Sequence, residues 1–269
     1  VGLRWSWYNH VGPFTRLIAI PGQLSDSTVI YSPNESIKFY HGLEPRANLR
    51  YLFGDKSSFK AGFNQVNQYV HLATLSPVSL PTDIWFPSTD IAQPQRGWQA
   101  SAGYFRNFFD NSYETSVEVY YKGMRNLIEY KEGALPADNV TTNPDNLLVF
   151  GEGRSFGSEF FIRKNSGKLT GWIGYTIART ERFFPDLQDT WFPARYDRTH
   201  DLSIVFNYKI SDKWTFGAAF VYATGNTMTL PVAWYVHNGR VVFEYGERNT
   251  TRMPAYHRLD LSMTWFDDP

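Results

Sequence analysis

Two histidines offer the first chance of chemistry. His200 stands beside Asp201 and close to Asp197, and His257 precedes Asp260 by three residues. A His–carboxylate pair can relay a proton, so a surface hydrolase is one reading of these positions. No cysteine and no His-Glu-x-x-His occurs, and the six histidines are scattered without ligand spacing, which leaves no Cys- or His-based metal motif. Gly151-x-Gly153 lacks a third glycine and enters a strand-like run, so it is no phosphate cradle. A second kind of chemistry is stacking and hydrogen bonding to a solute. Three segments combine aromatic rings with a few fixed polar groups, as a solute pocket requires. They are His71, Asp83, Trp85 and Phe86, then Trp191, Phe192, Arg195 and Asp197, then Trp234, Tyr235 and His237. The first is stiffened by Pro77, Pro81, Pro87 and Pro94. Such rings suit a sugar or a planar chelate.

The elements that must position these residues are strands. Tight turns recur at Gly54-Asp55-Lys56-Ser57, Asp110-Asn111-Ser112, Asn165-Ser166-Gly167 and Ser211-Asp212-Lys213, and a long connection separates each from the next. Between them the period is two. Leu169, Gly171, Ile173, Tyr175 and Ile177 oppose Thr170, Trp172, Gly174, Thr176 and Ala178. Leu202, Ile204, Phe206 and Tyr208 oppose Asp201, Ser203, Val205, Asn207 and Lys209, and the last segment sets Leu259, Leu261, Met263 and Trp265 against Arg258, Asp260, Ser262 and Thr264. Each strand thus has one apolar and one polar face. About ten strands are expected, near 2–9, 44–53, 58–68, 97–107, 113–123, 152–164, 168–179, 198–209, 213–224 and 256–266. A further hairpin is expected around Asn238-Gly239, between Trp234-Tyr235-Val236 and Val241-Val242-Phe243.

Composition bounds what such a chain can be. Its 269 residues carry no formal net charge, so nothing points to nucleic acid. No run approaches the roughly 18 consecutive apolar residues of a transmembrane helix, but barrel strands hide their hydrophobicity in alternation. Strands of about ten residues suit a tilted membrane crossing. Aromatics make up 17% of the chain and gather near strand ends (Tyr104, Phe105, Phe108, Phe109; Trp214, Tyr222; Trp265, Phe266), as interfacial girdles do. The expected fold is an all-β, antiparallel up-and-down transmembrane barrel, with tight turns on one side and long loops on the other. Arg46, Arg50, Glu114, Glu118, Lys122, Glu159, Arg163, Asp201, Lys209, Arg258 and Asp260 would then face the lumen.

Several blocks resemble TonB-dependent outer-membrane receptors of the Bacteroidetes type. They are Gln68-Tyr69-Val70-His71-Leu72 with Ser79-Leu80-Pro81-Thr82-Asp83-Ile84-Trp85-Phe86-Pro87-Ser88, Ser116-Val117-Glu118-Val119-Tyr120-Tyr121-Lys122, and Gly151-Glu152-Gly153-Arg154-Ser155-Phe156-Gly157-Ser158-Glu159. Gly171-Trp172-Ile173-Gly174-Tyr175-Thr176, Tyr196-Asp197-Arg198-Thr199-His200-Asp201-Leu202-Ser203, Tyr222-Ala223-Thr224-Gly225-Asn226 and Arg252-Met253-Pro254-Ala255-Tyr256-His257-Arg258-Leu259-Asp260-Leu261-Ser262 continue the series. The resemblance implies a 22-stranded barrel filled by a plug, sited in the outer membrane of a Gram-negative bacterium and importing a scarce nutrient. Its partners would be the TonB complex, outer-membrane lipids, a small nutrient ligand and, in glycan importers, a surface lipoprotein lid. No cofactor and no enzymatic activity are implied. Residues 1–269 would be part of that barrel, without plug or closing strands. A passive pore and the surface hydrolase are the alternative readings.

Overall fold

A computed structural model of the chain describes residues 1–18, 27–74, 81, 83–132, 134, 144–237 and 240–267. Ten long strands follow one another: β1 (Gly2–Val11), β2 (Ser36–Phe53), β3 (Ser57–Gln68), β4 (Gln95–Phe108), β5 (Tyr113–Tyr130), β6 (Leu148–Lys164), β7 (Leu169–Phe184), β8 (His200–Lys209), β9 (Trp214–Ala223) and β10 (Tyr256–Trp265). Each pairs antiparallel with the next, and Gln188–Pro193 adds an eleventh strand beside β7. The sheet is an open arc: among the described residues β1 pairs only with β2, and β10 only with β9. The expected turns all join consecutive strands at one end. Three of the four use left-handed residues, supplied by Gly54 (φ 67°), by Gly167 (φ 90°) and by Asp110 and Asn111.

The register shows why the alternation runs through every strand. One row crosses nine of them as Tyr51, Phe59, Tyr104, Val117, Phe160, Tyr175, Leu202, Tyr222 and His257. Residues of this outer face remain open: Leu49 is 60% exposed and Phe160 43%. Water would penalise such a face, whereas hydrocarbon would not. A row on the opposite face reads Arg50, Lys60, Gly103, Glu118, Glu159, Thr176 and Asp201. The arc is therefore apolar outside and polar inside, and each of the eleven lumen candidates lies on the polar face.

Strands outrun the expected boundaries at the loop side. β2 begins at Ser36 rather than near 44, and β5 continues to Tyr130 rather than stopping near 123. At about 3.3 Å per residue, eighteen residues reach far beyond a tilted crossing of nine to eleven. Above the membrane, the alternation that marked the strands is no longer required, so periodicity alone stops short. The long connections also contain ladders too short for alternation to mark: Phe14–Ile18 with Ser27–Tyr31, Val70–Ala73 with Ile84–Pro87, and Thr227–Met228 with Thr251–Arg252. The hairpin expected in the last loop pairs Pro231–His237 with Arg240–Tyr245, while its Asn238-Gly239 turn lies outside the described residues. The main apolar packing also lies at the loop side. Ala73, Phe86, Ala92, Ile128, Tyr130 and Leu148 form one cluster, and Leu127, Val149, Phe184 and Phe192 another.

Candidate functional site at the loop side

The first loop candidate is built on the short ladder in which His71 faces Phe86 and Leu72 faces Trp85. Alternation sends the two aromatic residues opposite ways. Phe86 is buried in the first cluster, and His71 is fully enclosed, with Nε2 bonded to Ser88 Oγ at 2.8 Å. Trp85 is 67% exposed, and Asp83 is half-buried two residues before it. Neighbouring polar contacts pin this loop. Tyr40 Oη donates to the Thr89 carbonyl (2.6 Å), Thr89 Oγ1 to Asp145 (2.7 Å), and Arg16 pairs with Asp90. His71 and Phe86 therefore hold the ladder, and Trp85 presents a free ring.

Burial without a charge partner pushes the His71 pKa down to about 4. The ring is neutral at neutral pH, and an opened loop takes up a proton more readily than the closed one. The sign follows: this contribution is complete above about pH 6.5 and is lost as pH falls toward 4, up to about 3 kcal/mol. Burial raises the Asp145 carboxyl, which works in the opposite sense. Protection against hydrogen exchange over 69–74 and 83–94, corrected for the intrinsic rate at each pH, is expected to fall between neutral pH and about pH 4. His71→Gln removes that dependence. Equal pH profiles for the two proteins would refute the assignment.

The second group divides between faces. Arg195 Nη2 and Arg182 Nη1 both reach Glu129, at 2.7 and 3.1 Å. Trp191 lies instead against Phe183 and over the Arg154 guanidinium, 4.3 Å from ring to cation. In register, Arg154 continues the outer apolar face, in line with Phe156 and Phe160. Asp197 is 2% exposed and ties two loops together. Its Oδ1 accepts from Thr180 N (2.6 Å) and its Oδ2 from Arg252 Nη2 (2.5 Å). Arg252 also donates to the carbonyls of Asp197 and Gly225.

Trp234 and Tyr235 are 66% and 52% exposed on their hairpin, opposite Phe243 and Val242. Only Arg195 among the candidates lines the cleft between the loops after β5, β7 and β9. That cleft, of about 370 Å³, is also lined by Lys131, Glu132, Gln188, Tyr245 and Arg248. Sequence reasoning missed these residues, because they come from segments far apart in the chain and share no motif.

The proposed proton relay does not form. His200 lies on the outer face, bonded through Nδ1 to Tyr175 Oη (2.8 Å), while Asp201 points to the lumen. His257 and Asp260 are likewise on opposite faces, and Asp260 pairs with Arg258. The sequence also holds a Gly-x-Ser-x-Gly pattern, Gly153-Arg154-Ser155-Phe156-Gly157. It lies within strand β6 rather than in a strand-to-helix elbow, and Ser155 Oγ is 2.9 Å from Thr180 Oγ1. Among the described residues no three His, Asp or Glu side chains converge as metal ligands.

Known proteins place this architecture. The family model "TonB dependent receptor-like, beta-barrel" matches residues 1–267. Similar solved structures include the ferric-catecholate import receptor Fiu of E. coli K12, at 14% identity and TM-score 0.59, with 94% of this chain covered and 34% of that one. The ferripyoverdine receptor of the Pseudomonas aeruginosa outer membrane is 16% identical with TM-score 0.57, covering 90% and 28%. The FpvAI–pyocin S2 complex is 17% identical with TM-score 0.56, also covering 90% and 28%. No curated protein matches. The chain thus spans about a third of the receptors it resembles in fold, and by its family match it belongs to the TonB-dependent receptor β-barrels.

Proposed function

We propose that this chain is wall and mouth of an outer-membrane receptor that binds a scarce solute at the cell surface and passes it to the periplasm. The continuous two-faced wall carries this reading, with an apolar row outside and a charged row inside across seven or more strands. The tight turns then lie in the periplasm and the long loops outside the cell. The family match, together with the third of each relative that the chain spans, supports a larger barrel around a plug that engages TonB. The lumen row supports it too. Glu118 and Glu159 stand directly opposite each other, an arrangement that costs free energy until a cation from another domain or a solute meets it. A surface lipoprotein over the mouth, as in receptors of the Bacteroidetes type, fits the exposed Trp234–Tyr235 hairpin. Iron chelates like those named for the structural neighbours are one solute class. Import without covalent chemistry needs none of the relay groups that the strand faces separate.

Within the mouth, Trp85, Trp234, Tyr235 and Arg195 contact the solute together with Asp83, while His71, Phe86, Trp191 and Asp197 hold the loops that carry them. In the full-length receptor, replacing Asp83 and Trp85 together by Ala is expected to weaken solute binding about ten-fold, because exposed aromatic anchors dominate such contacts. Unchanged affinity in a calorimetric titration would move the site elsewhere.

A further inference from the structure

Four arginines gather where the outer face leaves its apolar belt. Arg96, Arg125, Arg154 and Arg179 lie on the four neighbouring strands β4, β5, β6 and β7. Each shares the parity of the lipid-side residues of its strand: Trp98 with Arg96, Tyr121 with Arg125, Phe156 with Arg154, Ile177 with Arg179. Directly beneath them runs a stacked aromatic ladder. Phe63 meets Trp98 at 6.4 Å, Trp98 meets Tyr121 at 5.4 Å, and Tyr121 meets Phe156 at 6.1 Å with planes 9° apart. Aromatic rings of this kind mark the level at which hydrocarbon gives way to headgroups.

Position along the strands agrees. The arginines stand ten to twelve residues from the tight-turn ends, at Phe108, Tyr113, Lys164 and Leu169. At about 3.3 Å per residue and a tilt near 40°, that is roughly 25–30 Å of height, close to the apolar band of an outer-membrane barrel. The cluster therefore meets the headgroups of the loop-side leaflet.

The local charges ask for an anion. Arg96 and Arg125 are directly opposite in register, with backbones about 5 Å apart, and like charges so placed repel. Arg96 has no carboxylate or hydrogen-bond partner among the described residues, and Arg125 reaches only Glu152, at 3.9 Å. Glu181 is already held by both Arg154 (2.6 Å) and Arg179 (2.6 Å). Four guanidiniums thus face two carboxylates, with the surplus on Arg96 and Arg125. Guanidinium forks match phosphate oxygens in pairs.

We propose that Arg96 and Arg125, flanked by Arg154 and Arg179, form a binding site for the phosphate groups of a glycolipid in the leaflet at the loop side. The lipid's acyl chains lie on the aromatic ladder, and its phosphate fills the space between the opposed arginines. The site depends on the outer face meeting lipid and is independent of which solute the mouth binds.

The test uses the full-length receptor in detergent, with bisphosphoryl lipid A as the probe and native mass spectrometry as the readout. Arg96→Gln with Arg125→Gln is expected to lower retention of the lipid at least ten-fold, while Lys56→Gln at a tight turn leaves it unchanged. The dephosphorylated glycolipid should bind the native protein as weakly as the native lipid binds the variant. Equal retention by native protein and double variant overturns the proposal. So does full displacement by inorganic pyrophosphate, which would make this a site for free phosphate. A second readout covers poor folding of the double variant. In phosphate-free maltoside micelles Arg96→Gln alone should raise the unfolding temperature, since it removes the opposed charge, and added lipid A should stabilise only the native protein. Equal stabilisation of both by lipid A overturns the site.

Discussion

Asp197→Ala is expected to loosen two loops at once and to do so without any solute present. Asp197 carries two ties: the Thr180 amide on β7 and the guanidinium of Arg252, which itself holds the carbonyls of Asp197 and Gly225. Removing the carboxylate leaves the arginine, 31% exposed, without its counter-ion and an amide without its acceptor. Breaking one side of such a buried pair costs about 3–5 kcal/mol. Hydrogen exchange should rise over residues 185–199 and 224–237 together, and solute binding should fall as a consequence. Gly225→Ala should reproduce the effect from the other side, because a Cβ there would lie 1.9 Å from the Met253 carbonyl oxygen. Backbone atoms cannot yield as a side-chain tip would. If Asp197→Ala reduced solute binding while exchange in both loops stayed native, Asp197 would be a contact residue and the clamp reading would fail.

That clamp explains part of what was legible in the sequence. Tyr196-Asp197-Arg198-Thr199, Ala223-Thr224-Gly225-Asn226 and Arg252-Met253-Pro254 stand far apart in the chain, yet they meet in one polar knot. Arg252 reaches Thr199 Oγ1, Arg198 reaches Asn226, and Met253 N donates to the Asn226 carbonyl. Blocks that carry the family resemblance hold loops in place. Wall strands were readable because lipid imposes period two on every residue that crosses it, as in the row from Tyr51 to His257. The faces were readable for the same reason, which is why the lumen candidates all fell on the polar side.

Loop-side geometry was harder to read for physical reasons. Asn126 adopts a left-handed backbone (φ 57°), and the register between β5 and β6 shifts between Gly151 and Gly153. Parity changes there, so Leu127 and Glu129 lie on the face of Lys122 and Met124, a result no alternation rule carried past the bulge reproduces. Pairings such as Arg195 with Glu129 join residues 66 apart. Spacing holds no trace of such contacts. Trp191 shows the same limit. Its aromatic character suggested the mouth, yet its place over Arg154 puts it beside the membrane-side arginines.

Gly171→Ala should strike the wall itself. Gly171 sits within β7 at φ 152°, outside the range that side chains readily adopt, and opposite Phe206 of β8. A Cβ there would stand 2.2 Å from the Val205 carbonyl oxygen and 2.6 Å from Phe206 Cα. Two backbones are closer than any side chain permits, so β7 and β8 must part or the ladder must slip. Backbone strain and overpacking together cost about 2–6 kcal/mol, and a slip by one residue would exchange lumen and lipid faces from there onward. Gly174, three residues along the same strand, is the control. Its Cβ would meet only side-chain rings at ordinary contact distance, Trp172 at 3.4 Å and Phe161 at 3.9 Å. In the full-length receptor, heat-modifiable electrophoretic mobility should show Gly171→Ala largely unfolded and Gly174→Ala native. Equal folding of the two variants would mean that the close approach of β7 and β8 is not what requires glycine, and that the strand pair tolerates a side chain at its tightest point.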